Sequence, residues 1–427
     1  MLSAFSALHP SVRVRLLTTF LSKVFGTAVI PFMGLLFARE AGAAVAGMLL
    51  GIQYLVQFGV GLYGGAASDL LGRKRVMVWG EAIKTLAFVV MLAAALTGHL
   101  LWPIFAGLLI MAVGNGLSIT AGEALLIDAS TPTDRAFMYS VNYWGNNLGY
   151  LVGAPVGALL FHEHLAALLA LLAGMALIIL WVTVRFIADV HAPVARSGRK
   201  AMGIGTLLSS YRQVATDRNF LWFTLSGILI LTTEFARTTF LGVRLDQDLS
   251  GQHVTLPLLG PLPFDGAKAL AMLSAENTLF IVLGSAAVAR FLTGREPRRW
   301  MLTGFALFGG GYCAAMLLGT PGTLLLAGMV FSVGELLYVP TRQAVLADLI
   351  GAGSRGAYLA VNGMVFQFGK LLAAGGLILW PLLGRSGLVA LMALFTVLGS
   401  AIGWAASGRV SRHWRATHQV TRTETGD

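Results

Sequence analysis

The sequence predicts an all-α polytopic membrane protein, with twelve transmembrane helices in two pseudo-symmetric six-helix bundles. Three observations carry that prediction. First, 56% of the 427 residues are apolar and only 11% are charged, against about 25% charged in an ordinary soluble domain. Second, the apolar residues gather into twelve runs, each near the ~20 residues that a ~30 Å hydrocarbon core requires. Third, the layout of residues 114–144 returns 220 residues later, so that Gly114, Asp128, Arg135 and Asn142 recur as Gly334, Asp348, Arg355 and Asn362. In each copy an apolar helix ends in an acid, a short loop carries one arginine, and a second helix opens with Val-Asn. A repeat of that length marks duplicated lobes rather than a solenoid of short units.

In chain order the first lobe holds runs at 16–38, 44–69, 76–98, 101–127, 137–160 and 165–187, and the second at 220–243, 271–293, 301–318, 322–347, 357–380 and 386–408. The first run is too long for a removable signal peptide and lacks a small-residue cleavage site, so it is expected to remain a helix. Residues 1–187 and 220–408 are therefore expected to be the two bundles, joined by a polar linker at 188–219 and followed by a tail at 409–427.

Lys and Arg counts orient the chain. With both termini inside, twenty basic residues fall in inside segments, among them Arg13, Arg15, Arg73 and Arg135, while Arg39, Arg244, Lys268 and Arg385 fall outside. That asymmetry predicts a multi-pass protein of a bacterial inner membrane with both termini cytoplasmic. The net charge of +11 is accounted for by those loop clusters, which excludes nucleic acid as a partner. The single cysteine, Cys313, can form no intrachain disulfide. The outside loop at 244–270, with Asp246, Asp248, Pro257, Pro261, Pro263 and Asp265, reads as a capping loop without chemistry. The eight histidines, including His162 and His164, form no H-E-x-x-H or comparable cluster, so neither an enzyme nor a metal site is expected.

The loop after the second run reads Gly65-Ala-Ala-Ser-Asp69-Leu-Leu-Gly72-Arg73-Lys74-Arg75. G-x-x-x-D-x-x-G-R-K between helices two and three resembles the signature loop of the major facilitator superfamily, with Leu70 where a basic residue is common. A carboxylate at the negative end of a helix dipole needs a positive partner. The resemblance implies Arg73 and the amino end of helix eleven, near Arg355 to Tyr358, as that partner set, with Asp128 closing the network. The second-half loop, Gly294-Arg295-Glu-Pro-Arg298-Arg299, keeps glycine and basic residues without a counterpart of Asp69.

Within that superfamily the chain resembles the LmrP-type proton-coupled multidrug exporters, through Ile119 to Gly122, Asp128 to Ser130, Tyr143-Trp144, Asn147-Leu148, Gly334 to Pro340 and Ala347 to Leu349. It departs from them at Asn142 and Thr238, where that family carries acids. Gly149, Gly153, Pro155 and Gly157 in helix five form an imperfect antiporter-like glycine-proline pattern, which also reads as close helix packing.

Charges within the membrane runs each cost ~2.5–3.5 kcal/mol on insertion scales and so require a reason. In the first lobe they are Lys23, Glu81, Lys84 and Glu123; in the second, Glu234, Arg237, Glu276, Glu335, Arg342 and Lys370. Glu81 and Lys84, three apart, are expected to neutralise each other. Lys23 is expected to pair with Glu123 and Glu234 with Arg237, and Glu276 and Lys370 either to pair or to compete for one proton site. Glu335, thirteen residues before Asp348, lies about 20 Å along its helix, near mid-membrane, where a proton and a bound cation compete for it. Glu335, Asp128, Asp69 and Glu276 are therefore the expected proton-coupling residues. Gly65, Asp69, Gly72, Arg73 and Lys74 are the expected gating loop. Asn142, Tyr143, Asn146, Glu234, Arg237, Glu335 and Tyr338 are the expected substrate contacts, on a stripe that includes Tyr139 and beside Phe235, Phe240 and Phe366. The expected function is proton-coupled antiport of lipophilic, cationic drugs by alternating access. A major facilitator transporter of a polar metabolite, sugar or lipid is the alternative. The partners expected are a small-molecule substrate and the lipid bilayer. No cofactor beyond the proton gradient and no fixed oligomer are expected.

Overall fold

A computed structural model describes residues 2–98, 101–131, 134–161, 163–188, 214–249, 252–256, 260–350 and 355–408. Each apolar run is a helix: α1 Pro10–Ala41, α2 Ala43–Leu71, α3 Arg73–Thr97, α4 Leu101–Asp128, α5 Arg135–Leu160, α6 Leu165–Phe186, α7 Arg218–Phe235, α8 Gly266–Leu292, α9 Pro297–Leu317, α10 Pro321–Leu349, α11 Arg355–Ile378 and α12 Trp380–Ala406. A short helix, Leu2–Ala7, precedes α1. Among the described residues, 11 helices are long and apolar enough to cross a membrane. The helix missing from that set is α5, whose polar residues, Tyr139, Ser140, Asn142, Asn146 and Asn147, lower its hydropathy below that of its neighbours.

Local chemistry sets the helix starts. Pro10 opens α1 at a position whose N–H needs no partner, and Nδ1 of His9 accepts from Ser11 N at 3.2 Å. The Asp217 carboxylate accepts from Phe220 N at the start of α7 (3.1 Å), and Thr320 with Thr323 forms a reciprocal capping box at α10. Between α2 and α3 the chain turns on Gly72 at φ +97°, and ahead of α9 on Gly294 at φ +71°, conformations that a Cβ makes costly.

Glycines then decide which helices touch. At Gly153 and Gly157 of α5 a side chain would strike the carbonyls of Val24 and Ala28 in α1. A Cβ at Gly149 would lie 2.8 Å from Lys23 Cβ, and Thr27 Oγ1 donates to Gly149 O at 3.0 Å. The glycine pattern of helix five therefore serves close packing against α1. Gly80 and Gly114 do the same between α3 and α4, and Gly304, Gly311 and Gly334 between α9 and α10.

The 244–270 segment is more than a capping loop. After a 3-10 turn at Ala236–Thr238 the seventh helix resumes as Phe240–Leu249, and strands Gln252–Leu256 and Gly260–Phe264 pair as an antiparallel hairpin. Pro257 lies outside the described residues, as do His162, linker residues 189–213 and the 409–427 tail. The chain divides into two compact units, Met1–Arg199 with Leu245–Ala275, and Lys200–Arg244 with Glu276–Asp427.

Candidate functional site

In the first unit the signature loop closes on one arginine. Arg73, buried at the first turn of α3, pairs with Asp69 and also reaches Asp128 Oδ2 from Nε at 3.0 Å. Its Nη1 donates to Ser68 Oγ at 2.6 Å. Gly72 supplies the left-handed turn that brings Arg73 back over the end of α2, and Gly65 accepts from Ser68 Oγ at 2.8 Å. The Asp69–Arg73–Asp128 network expected from the sequence is present. Within the second unit Tyr358 donates to Asp217 Oδ2 at 3.0 Å, and the Arg355 side chain lies outside the described residues. Arg135 turns back to Ser130 Oγ and to Ile127 O, where a cation suits the carbonyl end of α4.

A second charged group lies between α1, α3 and α4. Lys84 Nζ is 2.7 Å from Glu81 Oε2, and Ser118 donates to the other carboxylate oxygen. Arg15 was expected in a loop, yet it is buried; it donates to Ser118 O at 3.3 Å, and Glu81 and Glu123 act on it through space. Gly122 is what admits it, because a Cβ there would occupy the guanidinium's place. The Lys23–Glu123 pair does not form: Lys23 Nζ lies 4.1 Å from the Tyr150 ring centroid. Lysine's long stem carries its ammonium to the aromatic face of α5, while Arg15 and Glu123 act on each other only through space. On the far end of α1, Arg39 makes a two-pronged ion pair with Asp246, at 2.6 and 2.7 Å.

The helix-five stripe is quieter than its sequence implies. Asn146 Nδ2 donates to Asn142 O, and Asn147 Nδ2 to Tyr143 O, both at 2.9 Å and both within α5. The Asn142 side-chain oxygen is buried with no partner, whereas Tyr139, Tyr143 and Trp144 are exposed.

In the second unit the central acid is Glu335, at the midpoint of the 29-residue α10. Asn277 of α8 donates one amide group to Glu335 Oε2 at 2.8 Å and to Ser332 Oγ at 3.1 Å, and Arg237 acts on the carboxylate through space. One turn on, Tyr338 is buried between Phe305 and Phe308 (centroids 5.4 and 4.9 Å) and directs its hydroxyl to Glu234 Oε2 at 3.5 Å. Tyr338 is thus a core residue whose hydroxyl touches the site. Glu234 stands in the last turn of α7, and Arg237 in the 3-10 turn Ala236–Thr238 that follows it. Phe235 and Phe366 meet edge to face at 6.5 Å, while Phe240 is buried in the gap left by Gly376. Pro340 removes one backbone donor from α10 beyond the acid.

Glu276 sits on Gly328 of α10, and both its carboxyl oxygens are buried without a hydrogen-bond partner. The expected Glu276–Lys370 pair is absent: Lys370 Nζ lies over the Phe235 ring at 5.5 Å. Glu276 points to α10 rather than α11 because the missing Cβ at Gly328 opens room there. Arg342, also buried, donates to Asn362 Oδ1 at 2.9 Å. Arg244, expected in an outside loop, is buried and donates to Ala315 O and Leu318 O at the end of α9. Sequence reasoning missed Arg15, Asn277 and Asn362 as site neighbours. Asn277, a polar residue beside an acid in an apolar run, was the signal available.

This arrangement offers buried carboxyls, and among the described residues no His/Cys/Asp/Glu group fits a metal ion. The family model for the Major Facilitator Superfamily matches residues 15–275. A Na(+), Li(+), K(+)/H(+) antiporter of Planococcus maritimus is 27% identical over 375 residues, covering 85% of this chain and 88% of the relative. Multidrug resistance protein MdtH of Edwardsiella ictaluri is 27% identical over 390 residues, covering 86% of this chain and 89% of the relative. Among solved structures, a POT family transporter in complex with 5-aminolevulinic acid superposes with a TM-score of 0.71 at 14% identity, over 93% of this chain and 98% of that one. Family match, relatives matched over most of their length and helical fold agree: the chain is a multi-span membrane transporter and belongs to the major facilitator superfamily.

Proposed function

We propose that the protein exports lipophilic cations in exchange for protons, by alternating access, from a bacterial inner membrane with both termini cytoplasmic. The observation that carries this reading is Glu335: a carboxyl at the centre of a membrane helix, held by the neutral amide of Asn277. A neutral donor leaves the charge available to a substrate cation or a proton, whereas a fixed ion pair would occupy it. Relatives named for multidrug resistance and for cation/H+ antiport support it. The energetics suffice: ~100 mV contributes about 2.3 kcal/mol per proton, roughly a fifty-fold concentration ratio.

Export of a cationic dye from proteoliposomes, driven by an imposed pH gradient, tests the proposal; Glu335→Gln is expected to abolish pH-driven export while leaving the protein folded. Wild-type export by that variant would overturn it. The antiporter relative supports a second reading, exchange of monovalent metal ions for protons. Sodium-driven proton movement without dye export would favour that one. Movement of a polar metabolite, sugar or lipid alone would favour the remaining alternative.

A further inference from the structure

Two carboxyls of the second unit stand on neighbouring helices in opposite circumstances. Glu335 has a hydrogen-bond donor, Asn277, and a cation, Arg237, acting on it. Among the described residues Glu276, next to Asn277, has neither: both oxygens are buried without a donor, and burial is the influence that acts on it. The charges on adjacent elements are engaged elsewhere. Arg342 of α10 holds Asn362, Glu234 of α7 receives Tyr338, Arg237 faces Glu335, and Lys370 of α11 lies over Phe235. Gly328 gives Glu276 Oε2 its place, since any Cβ there would collide with it. The site is shaped around this carboxyl yet supplies nothing that stabilises a negative charge.

We propose that Glu276 is the proton-carrying carboxyl of the exchange and Glu335 the cation-binding one. An ionised carboxylate at Glu276 would bear its desolvation without compensation, and a proton removes that cost. A cation arriving at Glu335, about 10 Å along α10 from the Gly328 on which Glu276 sits, changes the balance, because a positive charge stabilises the ionised form of an acid within its reach in a low-dielectric interior. The O–H bond of Glu276 then breaks, its electron pair stays on the carboxylate, and the proton goes to water. One cation is bound and one proton released, and the pair carries no net change of charge. Carrying the acids on neighbouring helices, with Glu276 adjoining the Asn277 that holds Glu335, couples two binding events without requiring them to share an oxygen.

The inference rests on the export reading for its cation, so the test separates the two. Infrared spectra of the purified full chain at neutral pH, without substrate, are compared for wild type and Glu276→Gln. A protonated-carboxyl C=O band present in wild type and missing in the variant is expected; an unchanged band overturns the assignment, whatever the substrate. Proton release is then followed in weak buffer on adding tetraphenylphosphonium. Wild type is expected to release one proton per cation bound, Glu276→Gln to release none and, being fixed in the neutral form, to bind the cation more weakly than wild type, and Glu335→Gln to lose about tenfold or more in affinity. Undiminished release from Glu276→Gln overturns the proposal. No binding to wild type defeats the export reading and leaves the infrared result to decide the role of Glu276. Should Glu276→Gln not fold, Gly328→Ala displaces the carboxyl instead, and a shifted C=O band is then the expected result, an unshifted one the contrary.

Discussion

The two halves set an arginine against a glycine at the same helix crossing, but they exchange which helix supplies which. In the first half Arg15 of α1 lies on Gly122 of α4; in the second, Arg342 of α10 lies on Gly227 of α7. Positions 122 and 342 are separated by the 220-residue offset of the repeat, as are Asn142 and Asn362. Arg342 therefore reaches Asn362 at 2.9 Å, whereas the Asn142 oxygen has no partner. The signature loops diverge in the same way. Arg73 bridges Asp69 and Asp128, but Arg295 lies over the Phe291 ring at 4.0 Å. In the first half Arg73 and Lys84 each close on an acid inside the helix bundle, whereas in the second Glu335 takes the neutral amide of Asn277.

The largest effect that would break this comparison is steric. In the first half α5 rests on the backbone of α1, so Gly153→Ala pushes a methyl into the Val24 carbonyl and the Thr27 hydroxyl. In the second, α11 rests on a ring: the Cβ of Gly369→Ala would be 3.2 Å from Phe235 Cδ2. Overpacking costs about 1–3 kcal/mol and more where backbone cannot yield. Gly153→Ala is expected to lose the folded peak in thermal size-exclusion measurements, and Gly369→Ala to melt within a few degrees of wild type. Equal losses would show that the two crossings are equally rigid.

Next in size are the loop arginines. Removing the cation from a partly buried network leaves two acids without it, a cost reaching about 3 kcal/mol for fully buried pairs and less here because Asp69 is 44% exposed. Arg73→Gln is therefore expected to cost about 1–2 kcal/mol and most of the transport rate. Arg295→Gln, which gives up ring contacts only, should cost under about 1 kcal/mol and leave transport intact. Transport lost equally in both would dissolve the distinction between latch and packing.

Much of this was legible in the residues themselves, and the exceptions share a cause. Twelve helices follow from apolar length, and the Asp69–Arg73–Asp128 network from spacing plus the need of a carboxylate at a helix end for a cation. Glu81 and Lys84 pair because three residues along one helix already bring them together. The pairs that failed, Lys23 with Glu123 and Glu276 with Lys370, each required two helices to present charges at one height and rotation, which periodicity does not determine. Arg15 and Arg244 were placed in loops because a basic residue near the end of an apolar run reads as positive-inside or outside charge. Tertiary partners, Ser118 for one and the carbonyls of α9 for the other, draw them into the protein.

A smaller effect separates the two neutral donors. Ser118→Ala removes a bond from Glu81, which keeps Lys84, so about 1 kcal/mol of stability and no transport is expected to be lost. Asn277→Ala removes the amide from Glu335, which keeps only the through-space influence of Arg237. A raised KM for a cationic substrate with little change in melting is the expected result. If Ser118→Ala alters KM as much, the first-half charges also take part in exchange.

The smallest net change is expected from rebuilding one half in the pattern of the other. Arg15→Gly alone deprives Glu81 and Glu123 of a cation and leaves a hole against Gly122, and Gly122→Arg alone forces two guanidinium groups into one place. Each should cost about 2–3 kcal/mol by the usual penalties for an uncompensated buried charge or overpacking. Combined, the substitutions reproduce the Gly227–Arg342 arrangement, and the introduced guanidinium can reach Asn142 as Arg342 reaches Asn362. Residues that share one contact are not additive, and coupling of about 0.5–3 kcal/mol is usual for such neighbours. The double variant should therefore melt above either single variant, with a charge still facing Glu81 and Glu123 and the Asn142 oxygen satisfied. Strict additivity, with the double variant the least stable of the three, would mean that the exchange at this crossing is tied to the rest of each half and is not a local swap.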